Sequence, residues 1–209
     1  MNFQLPISRF HNKGFTVIEL MVTISIFLLV TTSILIEFPQ ASSRISLDLL
    51  AHDIALTVRQ SQIFALSVKS FLPNGVSVPV FPAYGIHFDK NRPNSFILFA
   101  DLNDNNSYDA IANPNTNEFL EQYQLSQGAT IVGLCKSFYV DVATLTYTCS
   151  PNDTIDVVFR RPDPEAFLGA SGSSFGSAAV GVEVKSGSSP MRAVVIYSSG
   201  QIQITPELQ

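Results

Sequence analysis

One carboxylate is out of place. Residues 15–36 read FTVIELMVTISIFLLVTTSILI, and Glu19 is their only charge. Elsewhere the side chains able to do chemistry are few. They are three histidines (His11, His52, His87), two cysteines (Cys135, Cys149), an Asp101-x-Asn103-x-Asn105 run followed by Asp109, and Gly172-Ser173-Ser174-Phe175-Gly176, which matches G-x-S-x-G. A hydrolase elbow needs a strand before it, a helix after it and a later histidine. No histidine follows His87, and the Gly/Ser-rich stretch 169–177 reads as a flexible loop, so a hydrolase is set aside. Oxygen ligands at alternate positions suit a hard cation, which makes Asp101, Asn103, Asn105 and Asp109 weak calcium candidates. Against this, Asn106 and Ala112 stand where an EF-hand loop has Gly and Glu. Asn and Asp also build ordinary turns by bonding nearby backbone, so a solvated surface loop over 101–117 is the competing reading. No phosphate loop, dinucleotide fingerprint or zinc spacing is present.

The elements that hold these residues follow from length and pattern. The 209 residues suit one globular unit with appendages, and 46% apolar against 14% charged composition excludes a disordered chain. The net charge of −5 shows no basic stripe of the kind a general nucleic-acid binder carries. As a helix, 15–36 is about 33 Å long, enough to cross a hydrocarbon core of about 30 Å. Arg9 and Lys13 precede it with no acid in 1–14, which places the N-terminus in the cytoplasm and the remainder outside. The segment after Ile36 is a poor match to a signal-peptidase cut. A plain anchor does not account for Glu19, because a carboxylate within the bilayer costs about 2.5 kcal/mol or more. No Lys or Arg lies between Gly14 and Arg44 to offset it.

Lys13-Gly14-Phe15-Thr16-Val17-Ile18-Glu19-Leu20 closely resembles the processing site of type IV prepilins and pseudopilins. The resemblance implies peptidase cleavage between Gly14 and Phe15, N-methylation of Phe15, and Glu19 as the fifth residue of the mature chain. It also implies that Glu19 pairs with the terminal amine of an adjacent subunit in a fibre. A carboxylate four residues from a free ammonium is chemically suited to that, and pairing removes the penalty of an unmatched charge. The alternative is that Glu19 serves only recognition by the peptidase or the insertion machinery.

Pro39 is expected to interrupt or kink the helix. From Ala41 to Lys69 the pattern is amphipathic, with Leu47, Leu50, Ile54, Val58, Ala65 and Val68 toward a core and Arg44, Asp48, His52, Arg59 and Gln62 on a polar face. A second stripe, Ile45, Leu49, Leu56 and Ile63, is open to packing on the head or on a neighbour. His52 reads as a solvated side chain. Pro73-Asn74-Gly75 should end the helix. Strands are expected at 84–89, 95–100, 119–125, 130–134, 154–160, 178–184, 192–198 and 201–205, the last two joined by a turn at Ser199-Gly200. The spacings are too short for helical crossovers, so the expected class is α+β: a long helix packed on an antiparallel head. Its parts would be a leader at 1–14, a transmembrane and assembly helix at 15–36, an amphipathic helix at 37–72 and a β-rich extracytoplasmic head at 73–209. Outside the cytoplasm Cys135 and Cys149 are candidates for a disulfide, against two separate buried thiols. Arg160 and Arg161 lie in a polar turn and are expected to pair with local acids.

Tyr84-Gly85-Ile86-His87-Phe88, Phe99-Ala100-Asp101-Leu102-Asn103 and Gly200-Gln201-Ile202 resemble the minor pseudopilin H/FimT group. This implies a structural subunit of a type IV pilus or a type II secretion pseudopilus, not an enzyme. Its partners would be other pilin subunits, a prepilin peptidase, an inner-membrane assembly platform and the membrane, with no cofactor required. Some members of that group bind DNA through basic residues near the C-terminal hairpin. Gln201 and Gln203 stand there instead, and loss of Arg9 and Lys13 leaves ten basic against seventeen acidic side chains. DNA uptake is therefore not favoured, because DNA affinity rests on phosphate neutralisation. The other alternative is a ligand- or calcium-binding module on an uncleaved membrane anchor.

Overall fold

The computed structural model describes residues 14–72, 78–109, 117–126, 128–139, 145–150, 154–170, 173–187, 190–206 and 208, with the side chains of 36–43, 138, 139, 145 and 150 left aside. The leader with Arg9 and Lys13, the turn at Pro73–Gly75, loop residues 110–116 including Ala112, and Gly172 lie outside this set. The chain divides into two compact units, Met1–Ala41 and Ser42–Gln209.

One helix, α1 (Val17–Leu66), is followed by eleven strands: β1 (Ala83–Asp89), β2 (Ser95–Asp101), β3 (Phe119–Gln124), β4 (Ala129–Tyr139), β5 (Leu145–Ser150), β6 (Thr154–Phe159), β7 (Ala166–Ala170), β8 (Ser173–Ser174), β9 (Ala179–Ser186), β10 (Arg192–Tyr197) and β11 (Ile202–Thr205). Helical backbone continues through Pro39, so the expected interruption is corrected. Proline removes one donor, while the other carbonyls of the helix keep their own bonds. The C-terminus is also corrected, from the neighbourhood of Pro73 to Leu66. There Val68 takes the left-handed conformation (φ 56°), and its N–H donates to the Ala65 carbonyl at 3.4 Å while the Lys69 N–H donates to Phe64 at 3.1 Å. That is a Schellman cap. The Lys69 ammonium lies 3.3 Å from the Phe64 ring centroid, and Val68 is exposed rather than in the core.

The strands form two antiparallel sheets, ordered β3-β2-β1-β6-β7-β8 and β11-β10-β9-β4-β5. Alternation points Tyr84, Ile86, Phe88, Leu98, Ile155 and Val157 of the first sheet, and Val180, Val182, Val194 and Ile196 of the second, into one core. Leu47, Leu50, Ile54, Val58 and Ala65 of α1 complete it. A bulge in β4 between Ile131 and Gly133 lets Ile131 and Leu134 both face inward. Polar bonds lock helix to head. The Tyr84 hydroxyl donates to the Lys69 carbonyl at 3.0 Å, Arg192 pairs with Asp48, and the Gln62 amide donates to the Pro164 carbonyl at 2.9 Å. Gln62 is thus buried, not part of a solvated face. Gly200 (φ +81°) sits in the hairpin turn against the Pro164 carbonyl, where a side chain would collide. The stretch 169–177 expected as loop contributes the end of β7 and all of β8.

A second, smaller cluster covers the other side of the first sheet: Ala83, Ile97, Phe99 and Val158, with Tyr108 and Phe167 against it. The Phe99 ring lies across Gly85, where an added Cβ would stand 2.7 Å from the ring and 2.9 Å from the Val157 carbonyl. Gly85→Ala is therefore expected to destabilise the protein by about 1–3 kcal/mol, read as a lower thermal midpoint of the detergent-solubilised chain. An unchanged midpoint would contradict this packing.

Candidate functional site

The sequence-predicted residues fall in three places. At the N-terminus, Gly14 and Phe15 precede α1 in extended chain, and Phe15 is 82% exposed. Thr16 is the helix N-cap: its Oγ1 accepts the Glu19 N–H at 3.3 Å, and its carbonyl accepts the Leu20 N–H at 3.1 Å. Thr16-x-x-Glu19 is the capping-box pattern, a signal legible in the sequence that the sequence reading missed. The helix dipole also favours an acid in this first turn. Val17–Leu35 has a mean hydropathy of 2.2 and is unburied, long and apolar enough to cross a membrane. The hydroxyls of Thr23, Ser25, Thr31 and Thr32 donate back to carbonyls one turn earlier at 2.7–2.8 Å. These hydroxyls are satisfied within the helix. The Glu19 carboxylate is exposed and, among the described residues, has no side-chain partner. A neutralising group must come from a terminal amine or another chain.

The second place is the loop after β2. Asp101 Oδ1 accepts the Asn105 N–H at 3.1 Å, and Oδ2 accepts the Asn106 N–H at 3.0 Å. Asn103 and Asn105 cap the N–H groups two residues ahead, and both amides donate to Asp109 Oδ2 at 2.7 and 2.8 Å. The four calcium candidates are thus brought together, with their oxygens turned to the loop's own donors. Arg160 reaches Asp101 at 3.4 Å and Asp104 at 3.1 Å, as the polar-turn reading expected, while Arg161 lies over Phe81. Below the loop, His87 Nδ1 lies 2.6 Å from Asp156, whose other oxygen accepts the Ser107 hydroxyl at 2.9 Å. Serine and histidine both address the aspartate and not each other, so this group anchors the loop and makes no nucleophile.

Glu118, which no sequence signal singled out, is buried here and accepts N–H bonds from Leu102 at 3.0 Å and Asp109 at 2.9 Å. Burial pushes its pKa up from 4.5 to about 7 despite those bonds, and burial raises Asp101 as well. A folded pKa above the unfolded one means the stability it contributes is complete below 4.5 and lost as pH rises through about 7. The chain is expected to melt lower at about pH 8.5 than at about pH 5.5, and non-titrating Glu118→Gln to flatten that slope. An undiminished slope in the variant would place the titration elsewhere.

The third place is Cys135 and Cys149, opposite one another on β4 and β5 and joined by a disulfide. Glu183 lies beside them, but both sulfurs are spent in the bond, so this trio holds no thiolate for a metal.

Residues 9–35 match the family model described as the prokaryotic N-terminal methylation motif. No curated protein and no solved structure matches the chain. The matched family is a structural pilin-like motif and not an enzyme family. With an apolar helix at the N-terminus that fits membrane anchoring, the match supports a type IV pilin-like precursor, processed by a prepilin peptidase and assembled with other pilin subunits.

Proposed function

We propose that this chain is a minor, pilin-like structural subunit of the pseudopilin H/FimT kind. It is cut between Gly14 and Phe15, methylated at Phe15, and carried by an inner-membrane platform into a type IV pilus or type II secretion pseudopilus. Residues 15–36 form the fibre core, and the head lies outside the cytoplasm, where its disulfide persists. The observation that carries this reading is Glu19: a carboxylate without a side-chain partner on an otherwise apolar, unburied helix inside the matched motif. Docking against the amine of a neighbouring Phe15 would neutralise both charges and give assembly a direction.

Glu19→Gln separates charge from capping, because glutamine also serves at the N3 position. In cells that supply the peptidase and the platform, both Glu19→Gln and Glu19→Ala are expected to be inserted and to lower sheared fibre yield at least about tenfold, the ratio set by about 1.4 kcal/mol. Wild-type yield from Glu19→Gln would reduce Glu19 to a helix cap.

A second reading, a calcium-dependent head, rests on the convergence of Asp101, Asn103, Asn105 and Asp109. The loop's own bonds already engage those oxygens, and we take it to be held without a cation. Calcium or EDTA is expected to leave the thermal midpoint of the full chain unchanged. A rise of several degrees with calcium would install the binding module instead.

A further inference from the structure

Residues 44–66 of α1 carry two opposite stripes. One is the core stripe of Leu47, Leu50, Ile54, Val58 and Ala65; the other is Ile45, Leu49, Leu56 and Ile63, which stand 62, 61, 65 and 54% exposed. The second stripe therefore does not pack on the head. Leu49, Leu56 and Ile63 recur every seventh residue, the spacing of a seam against another helix. The flanks of the seam differ in charge. Arg44 and Arg59 lie on one, and Asp53 lies on the other, because nine residues between Arg44 and Asp53 are two and a half turns at about 3.6 residues per turn. Asp48, on the basic flank, is taken by Arg192, and Arg59 donates to Gln62. Arg44 and Asp53 are exposed and, among the described residues, have no side-chain partner. Each flank opens on an apolar-floored groove. Ala55, Leu56, Ile202 and Ile204 line the one beside Arg59, and Leu50, Leu56, Phe96 and Tyr123 line the one beside Asp53.

Resting on the subunit reading above, the geometry points to a second copy of this chain as the occupant of the seam, with Asp53 of one copy paired to Arg44 of the next. An antiparallel pair would set like flanks together. An unstaggered parallel pair would hold the two charges about 13–14 Å apart along the axis. They meet when parallel copies are offset by that distance. Such a contact is heterologous and unclosed, so it propagates as an open helical array.

The test uses the full chain in cells with the peptidase and the assembly platform. Both native cysteines are bonded to each other, so the background of free thiols is low. Arg44→Cys and Asp53→Cys chains are co-expressed and oxidised, and the mixed dimer is expected to dominate in sheared fibres. Homodimers of either variant in excess, or capture of Asp53→Cys only by a different subunit, would overturn the pairing. Separately, Arg44→Asp and Asp53→Arg are each expected to lower fibre yield by about fivefold, and the double exchange to restore it, as for a paired charge. Single variants that assemble at wild-type yield would overturn the pairing and leave the subunit reading standing. Failure of the wild-type chain to enter fibres would remove both.

Discussion

A lone carboxylate on a helix suited to lipid constrains everything else about this molecule. Water would solvate it freely, but hydrocarbon does not, and the cost of about 2.5 kcal/mol or more must be offset by a specific partner. The helix offers none: its hydroxyls fold back onto carbonyls one turn earlier, and Thr16 engages the backbone N–H of Glu19, not its charge. Cleavage after Gly14 would create a cation four residues away, in the same chain and in every neighbour. The chemistry that makes Glu19 costly in an isolated subunit then makes association favourable.

The head solves a different problem. Two antiparallel sheets and one helical stripe share a core, and the helix is held by a few long-range bonds from Asp48, Gln62 and the chain after Leu66. Those bonds leave the far stripe of α1 uncovered. The loop from Asp101 to Asp109 closes the outer side of the first sheet through Tyr108, the His87–Asp156–Ser107 chain and the buried Glu118. A buried acid in that closure ties the stability of the head to pH.

Much of this was legible from residue types and spacing. The period of two in the strands, the inward helical stripe and the Ser199-Gly200 hairpin are local patterns, and eight of the strands lie where alternation put them. The missed elements have physical reasons. β7 and β8 are short and sit among Gly and Ser residues that carry little propensity for strand. The helix stops at Leu66 because Val68, a residue that rarely adopts positive φ, is held there by the cap and by Lys69 over Phe64. Gln62 reads as surface by type, but the turn at Pro164 closes over it, a contact 102 residues apart that no local pattern announces. Glu118 is buried for the same kind of reason.

The processing motif is a local signal and therefore the clearest. It requires only that a basic residue, Gly14, Phe15 and Glu19 stand in order at the head of an apolar helix. Mass spectrometry of the N-terminal peptide from chain recovered from membranes of cells with an active prepilin peptidase addresses the central claim directly. The account predicts a chain beginning at methylated Phe15. A chain still beginning at Met1 and carrying Arg9 and Lys13 would contradict it.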